Sequence, residues 1–376
     1  MKDLSICFVG TGWMGTTQLK KLSEIAGVTI SVVVNNNLEQ AKKVLQQISL
    51  NCVPVVHDLQ IALSTYPVDI VWIVSPNSLH GPQSLLALEA GKHVFCEKPP
   101  AVSFADFSKQ IEISDKNPSL RTMVDYILYF NPMEQALHTL AAEEFFGTIH
   151  QIQINYRHQV NIADDKAWKL KKEFMGDALG MGINHAISVM IGIMSVQTNP
   201  ISVYATSHNS QIRAFEPDPV WNVMIRFQNG ATGVCQGNID IENGYDLYHN
   251  IAGSKGGFIF DSRVKFADKI RLWNETTTDG EWVYPLRNVV NAEDKHLKLF
   301  TPDMMLPDSG NVMDHQVGRA VEHFIESVRS DRDSPLSFSQ SRLIGEIGWA
   351  AQISAKYHRE VGLPLSESDK KIALEL

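Results

Sequence analysis

Two adjacent ionisable residues, Glu97 and Lys98, close the apolar run His93-Val94-Phe95-Cys96 and are followed at once by Pro99 and Pro100. A run of that length and character reads as a buried strand. Open α/β sheets bind ligands in the crevice outside the carboxyl ends of their strands, which is where this Glu-Lys pair would stand. A lysine ammonium is a compact cation, and partial burial lowers its pKa until it can hydrogen-bond a hydroxyl and relay a proton. A lone Glu-Lys-Pro is more often a surface ion pair beside a proline turn, so its chemistry depends on what accompanies it.

The strongest companion is Gly10-Thr11-Gly12-Trp13-Met14-Gly15. Residues 4–9 before it are strand-like. Leu19, Leu22 and Ile25 after it recur at helical spacing, with Gly27 as the stop. G-x-G-x-x-G between a strand and a helix is the context in which the motif binds a dinucleotide. Gly10 permits the tight turn, Gly12 lets a pyrophosphate approach the main chain at the helix N-terminus, and Gly15 lets the helix pack on the strand. Thr11, Trp13 and Met14 belong to the same cofactor-binding loop. A ribose-binding carboxylate would fall about 20 residues past the last glycine. That position holds Asn35, within Asn35-Asn36-Asn37. An amide can bond a ribose hydroxyl without repelling a 2′-phosphate, and no Arg stands beside it. Both NAD and NADP stay open, with NAD favoured.

Strand and helix signals alternate through this half. A strand over residues 69–74 leads into Ser75-Pro76-Asn77-Ser78-Leu79-His80 and a helix carrying Leu85, Leu86 and Leu88 that ends at Gly91. After the Glu97-Lys98 turn come a helix from Ser103, with Phe104, Phe107 and Ile111, and a strand over 121–127. Such alternation predicts a doubly wound parallel sheet, here over residues 1–127. Beyond it, Asn131-Pro132 opens a helix with Met133, Leu137 and Leu140. Residues 148–158, 201–205, 221–227 and 231–239 alternate apolar and polar, and Asn229-Gly230 is a hairpin signal. Residues 128–376 therefore form a second α/β domain on a mostly antiparallel sheet. One sheet face, with Trp221, Val223 and Ile225, is expected to be free for a substrate or another subunit. Residues 311–329 and 339–358 read as amphipathic helices, and 286–310 as a loop.

Composition narrows the partners. Of 376 residues, 44% are hydrophobic and 20% charged, and the formal net charge is −9. That balance disfavours nucleic acid or an anionic membrane. Cys7, Cys52, Cys96 and Cys235 are scattered without metal-type spacing. No uninterrupted apolar stretch reaches membrane-spanning length, and the N-terminus runs directly into a strand. These features predict a cytoplasmic protein with a small-molecule substrate and no metal.

In this order, GTGWMG at residue 10, SPNSLH at residue 75 and EKP at residue 97 resemble the Gfo/Idh/MocA family of NAD(P)-dependent sugar and polyol oxidoreductases. The resemblance implies a Rossmann domain followed by an α/β domain, hydride transfer to or from a sugar or cyclic polyol, and a homodimer or homotetramer. It places Ser75, Pro76 and Asn77 on the nicotinamide side, Glu97 on the nicotinamide ribose and Lys98 on the reacting hydroxyl. His80 matches a family histidine grouped with the cofactor site, although a helix-cap or packing role is the simpler reading. Tyr129 stands where the family usually has Arg. Around residue 180 the family usually reads as an Asp, a Gly two residues on and a His two beyond that. Matching on Gly182 puts Gly180 and Asn184 in the Asp and His places, with His185 next door. Helix neighbours point about 100° apart, so His185 can serve as the base if the register shifts by one residue. Asp177 reads as the helix N-cap. Lys98 and His185 are thus the catalytic candidates. Tyr126, Tyr156, Trp168 and Asn184 are candidate substrate contacts, and His158, Trp221 and Asn238 are of types common in sugar sites. Two other functions fit the same residues: a glycosidase that retains its NAD and works by transient oxidation and elimination, and a non-catalytic nucleotide-binding sensor.

Overall fold

The computed structural model describes residues 3–287 and 294–376 and divides into two compact units. The first takes in the chain up to Tyr126, Glu173–Gly176 and Val317–Gly345; the second takes in Ile127–Lys172, Asp177–Gln316 and Glu346–Leu376.

The first unit alternates β1 (Leu4–Val9), α1 (Trp13–Ser23), β2 (Val28–Val34), α2 (Leu38–Gln47), β3 (Val55–Val56), α3 (Leu59–Thr65), β4 (Ile70–Ile73), α4 (Asn77–Glu89), β5 (His93–Cys96), α5 (Phe104–Lys116) and β6 (Thr122–Val124). The sheet order is β3-β2-β1-β4-β5-β6, and every pairing is parallel. The order reverses between β1 and β4, so the loops leaving these strands, at Gly10 and Ser75, flank the switch point where such sheets hold their ligands. A parallel sheet is covered on both faces, which calls for continuous apolar strands; Ile70, Val71, Trp72 and Ile73 are all buried. Trp72 stacks on Phe95 with ring centroids 3.8 Å apart. Strand β6 is shorter than the sequence predicts. The Val124 amide donates to the Leu336 carbonyl and the Tyr126 amide turns back to Val124, which ends the strand.

The second unit opens with α6 (Pro132–Ala142), capped by the Asn131 side chain. Its strands are β7 (Ile149–Gln159), β8 (Pro200–His208), β9 (Val220–Phe227), β10 (Thr232–Asn238), β11 (Asp240–Gly253), β12 (Gly256–Asp261), β13 (Ile270–Asn274) and β14 (Val361–Gly362). The eight-stranded order is β13-β12-β11-β7-β10-β9-β8-β14, with β10 and β7 parallel and the other pairings antiparallel. The short helix α7 (Lys172–Met175) precedes α8 (Asn184–Met194). Helix α8 lies on one sheet face: a Cβ at Gly233 would strike Met190, and one at Gly237 would strike Ile183 just before the helix. Trp221, Val223 and Ile225 are buried on this covered face, which corrects the expectation that they line the free one. The other face carries Asn222, Met224 and Arg226, with Met224 exposed.

Two further differences from the sequence reading concern length and place. Helix α9 (Val317–Ser330) belongs to the first unit. There its Phe324 closes over Trp72 and Phe95 at 5.7 and 5.6 Å, and its Glu322 meets Lys21 of α1 at 3.2 Å. The helical run 172–194 is long and apolar enough to cross a membrane, but most of it is buried inside the protein. Within the loop read over 286–310, residues 288–293 lie outside the described residues; beyond them Leu297, Phe300, Met304 and Leu306 are buried.

Glu134 of α6 and His249 of β11 are fully buried, with Oε1 and Nε2 3.3 Å apart. Burial pushes the Glu134 carboxyl up to about 8 and the His249 imidazole down to about 3. Both groups are therefore neutral near pH 7, the acid positioned to donate to the imidazole. A carboxyl with a raised folded-state pKa stabilises fully below its unfolded value of about 4.3, and that contribution is lost as pH rises toward about 8. His249 contributes the opposite limb, lost as pH falls below about 6.5. Glu134→Gln should keep the donor and flatten the alkaline decline in Tm. Glu134→Ala should cost about 1–3 kcal/mol by stranding the imidazole. Thermal unfolding followed across pH checks both; an unchanged alkaline decline in Glu134→Gln would assign it to another group.

Candidate active site

The glycine loop is built to receive an anion. Helices α2, α3, α5 and α6 have side-chain caps from Asn37, Asp58, Ser103 and Asn131. Helices α1 and α4 have none, and neither carries an acidic residue in its first turn. The positive ends of these two helices are left to other partners. A Cβ at Gly12 would meet nothing within 4 Å, whereas one at Gly10 would run into Val74 and one at Gly15 into the Gly10 carbonyl. Gly10 also adopts φ +95, a conformation open to glycine. The loop is thus closed at Gly10 and Gly15 and open at Gly12, which fits a pyrophosphate approaching the main chain. Asn35 Nδ2 donates to Thr11 Oγ1 at 2.7 Å, and Asn35 Oδ1 accepts from the Asn37 amide at 2.8 Å. The end of β2 is therefore held by a neutral network. Trp13 is 59% exposed, and Met14 is half-buried.

The loop after β4 is fixed by its own side chains. Ser75 Oγ donates to Gln83 Oε1 at 2.6 Å, and Pro76 takes the N-cap position of α4. Asn77 is buried and donates to the Met175 carbonyl at 2.9 Å. His80 is buried with Nδ1 2.7 Å from the Pro99 carbonyl and Nε2 2.7 Å from the Ser75 carbonyl. Both ring nitrogens face backbone oxygens, and the neutral ring donates its single N–H to one of them. His80 lies between the loop after β4 and the turn after β5, the packing role that is its simpler reading. Burial lowers its pKa against the pull of the two carbonyls.

Glu97 and Lys98 stand at the carboxyl end of β5, as expected, but not alone. Gln18 of α1 is fully buried, and its Nε2 donates to Glu97 Oε1 at 2.8 Å and to Asp125 Oδ2 at 2.9 Å. Its Oε1 accepts from Trp72 Nε1 at 2.7 Å. Glu97 Oε2 accepts from the Lys98 amide at 3.3 Å. Burial lowers the Lys98 pKa, with Glu97 and Asp125 pulling the other way. Burial also raises Glu97, opposed first by Lys98, and raises Asp125 well above the usual carboxylate range. Tyr126 is buried beside this turn and its hydroxyl is pushed upward by desolvation. Gln18 and Asp125 are absent from the sequence-based candidates. Asp125 could have been found by the argument applied to Glu97, as a carboxylate at the end of a buried strand. Gln18 carries a weaker signal, a polar residue next to Leu19 on the buried face of α1.

In the second unit Asp177 Oδ1 accepts from the Gly180 amide at 2.8 Å, the cap expected of it. Residues Leu179–Ile183 then form a π turn before α8. A π turn places one extra residue in the helix, which rotates the succeeding residues by about 100°. His185 is the second residue after it, buried, with its ring 5.3 Å from that of Tyr156. Tyr156 also meets His158 at 5.3 Å and Tyr245 at 5.6 Å, and Tyr245 meets His315 at 5.4 Å. Tyr156, His158 and His185 are thus brought together with Tyr245 and His315, two residues that the sequence did not single out. Asn184 Nδ2 donates back to the Gly180 carbonyl at 3.0 Å, while its buried Oδ1 has no partner among the described residues. Trp168 sits in a separate 3₁₀ segment, Asp164–Leu170, with Lys169 5.7 Å from its ring. Trp221 donates to the Asp218 carbonyl, and Asn238 accepts from the Asp240 amide; both bonds are local. Tyr129 packs on His138 at 4.8 Å, an aromatic contact where the family usually has a cation.

Residues 4–126 match the family model described as an oxidoreductase family with an NAD-binding Rossmann fold, and residues 135–259 match the GFO/IDH/MocA C-terminal domain. Among curated relatives, the inositol 2-dehydrogenase of Salmonella typhimurium is 25% identical over 251 residues, covering 66% of this chain and 71% of that protein. Among solved structures, levoglucosan dehydrogenase in complex with NADH and L-sorbose superposes with a TM-score of 0.80 at 19% identity, covering 97% of this chain and 100% of that one. The aldose-aldose oxidoreductase of Caulobacter crescentus, complexed with glycerol, gives a TM-score of 0.75 at 19% identity, covering 96% of this chain and 100% of that one. The two matched domains, in the order the motifs require, establish that this chain belongs to the Gfo/Idh/MocA family of NAD-dependent oxidoreductases.

Proposed function

We propose that the protein is a dehydrogenase that oxidises a hydroxyl of a sugar or cyclic polyol, with Lys98 and His185 as its proton-handling residues. The observation that carries this reading is the half-buried Lys98 at the carboxyl end of β5, its pKa lowered by burial and its charge matched by buried carboxyls. The π turn supports it, because it supplies the one-residue shift that His185 needs. The names of the relatives, inositol 2-dehydrogenase and levoglucosan dehydrogenase, point to the same substrate class.

NAD supplies the hydride acceptor, and the chain supplies everything else. The loop from Gly10 to Gly15 and the α1 N-terminus hold the pyrophosphate, Asn35 approaches a ribose, and Ser75, Pro76 and Asn77 border the nicotinamide. Glu97 bonds the nicotinamide ribose. Lys98 hydrogen-bonds the reacting hydroxyl, and the His185 imidazole accepts its proton. Tyr126, Tyr156, Trp168 and Asn184 orient the ring of the substrate.

Gly12→Val should abolish NADH binding in calorimetry with Tm unchanged, because the added side chain enters open space that the pyrophosphate would occupy. Undiminished affinity would show that the nucleotide binds elsewhere.

Lys98→Ala and His185→Ala should each lower kcat by ~10²–10⁴ in assays of NADH absorbance against a sugar and polyol panel, with NAD affinity little changed. A silent His185→Ala beside a damaging Asn184→Ala would move the substrate contact to Asn184 and leave Lys98 to move the proton alone. Glycoside cleavage without net NADH formation would favour the NAD-retaining glycosidase.

The uncovered sheet face, with Tyr204 and Met224 exposed and Arg157 paired to Asp246 at 3.3 Å, is the proposed surface for a homodimer or homotetramer. Light scattering should report one of these at micromolar concentration; a monomer would overturn it.

A further inference from the structure

Beside Lys98 two carboxyls are buried against each other with one amide between them. Asp125 is fully buried after β6, and Glu97 is buried after β5. Each offers one oxygen to the same Gln18 nitrogen, at 2.9 and 2.8 Å. A primary amide nitrogen has two hydrogens, so it can satisfy these two oxygens and no others. Gln18 cannot turn its amide over, because its carbonyl is held by the Trp72 indole at 2.7 Å. The second Glu97 oxygen takes the Lys98 amide. The second Asp125 oxygen, Oδ1, is buried with no partner among the described residues.

An ionised Asp125 would leave that oxygen stranded away from water. It would also put two negative charges against the one ammonium of Lys98. Like charges sharing a desolvated site cannot both stay ionised, and one keeps its proton. A proton on Asp125 Oδ1, donated to Glu97, satisfies the stranded atom and leaves one negative charge to balance one positive charge.

We propose that Asp125 is a positioning residue that shares a single proton with Glu97 under the grip of Gln18, and so fixes the charge that Lys98 experiences. The proposal rests on the reading of Lys98 as the group that meets the reacting hydroxyl. Burial raises both carboxyls, and the stranded Asp125 Oδ1 is the atom that a proton would satisfy. The other titratable groups around the turn are His80, fixed between two carbonyls, and Cys96 and Tyr126, both driven toward their neutral forms by burial.

Asp125→Asn replaces the protonated acid with a neutral isostere. The infrared spectrum of the cofactor-free protein at neutral pH should lose a carboxylic-acid C=O band in this variant. The pKa that Lys98 imposes on kcat/KM should stay where it is. If Asp125 is instead ionised, the band is unaltered and the Lys98 limb falls by about 1–3 units, and the proposal fails. Should Asp125→Asn not fold, the band is sought in a Glu134→Gln background, which removes another buried acid, and is followed through Gln18→Leu. Loss of the band in the first, or a band that the second leaves unshifted, overturns the shared proton. A kcat/KM limb that survives in Lys98→Ala would refute the role of Lys98, while the infrared result would still decide the state of Asp125.

Discussion

Charge balance in a desolvated turn is the constraint on which the cofactor half of this protein depends. Glu97, Lys98 and Asp125 are placed at strand ends where water is largely excluded, and an unbalanced charge there is costly. The surrounding residues answer that problem. Trp72 lies in the middle of the sheet and uses its only polar atom to orient Gln18. Gln18 divides its amide between the two carboxyls. The aromatic stack of Trp72, Phe95 and Phe324 fixes the indole. A helix from late in the sequence, α9, is thereby tied to the electrostatics of a turn more than two hundred residues earlier.

The same logic explains what the helix ends lack. Helices α2, α3, α5 and α6 satisfy a first amide with a capping side chain, while α1 and α4 leave theirs uncapped. A missing cap typically costs about 1 kcal/mol. Two omissions at the sheet's switch point are intelligible if a bound anion and the polar parts of a dinucleotide complete these helices. His80 then has a clear task. Set between the Ser75 and Pro99 carbonyls, with its one N–H donated to one of them, it packs the loop after β4 against the turn after β5, so that the uncapped α4 and the Lys98 turn are presented together.

Local signals made much of this legible in the sequence. The bounds of β1, the glycine loop and the helix starts at Ser103 and Asn131 follow from short-range patterns, and all appear where those patterns put them. Features that depend on distant partners were hidden. Strand β6 is cut short by a carbonyl from Leu336. Trp221, Val223 and Ile225 alternate as a half-buried strand should, but alternation does not say which face a later helix covers. Strands β11 to β13 carry polar residues and glycines such as Asp240, Glu242, Gly244 and His249, which mask their periodicity. Gln18 and Asp125 look like ordinary polar residues until three strands and a helix converge on them.

The helix around residue 180 departs from a regular α-helix where the family motif would fall. Matched residue for residue, Gly180 and Asn184 occupy the places of the family's usual acid-base pair, and neither can move a proton. A linear comparison assumes a regular helix, and here the helix is not regular. The π turn over Leu179–Ile183 absorbs one extra residue, and such an insertion turns the residues after it, His185 among them, by about 100°. Gly182 lies inside this turn, and a Cβ there would strike His158, so a side chain at that position would press on the ring that stands beside Tyr156. The insertion and the glycine therefore act together. One turns the helix ahead of His185, and the other leaves room for the aromatic and histidine cluster against which the imidazole packs.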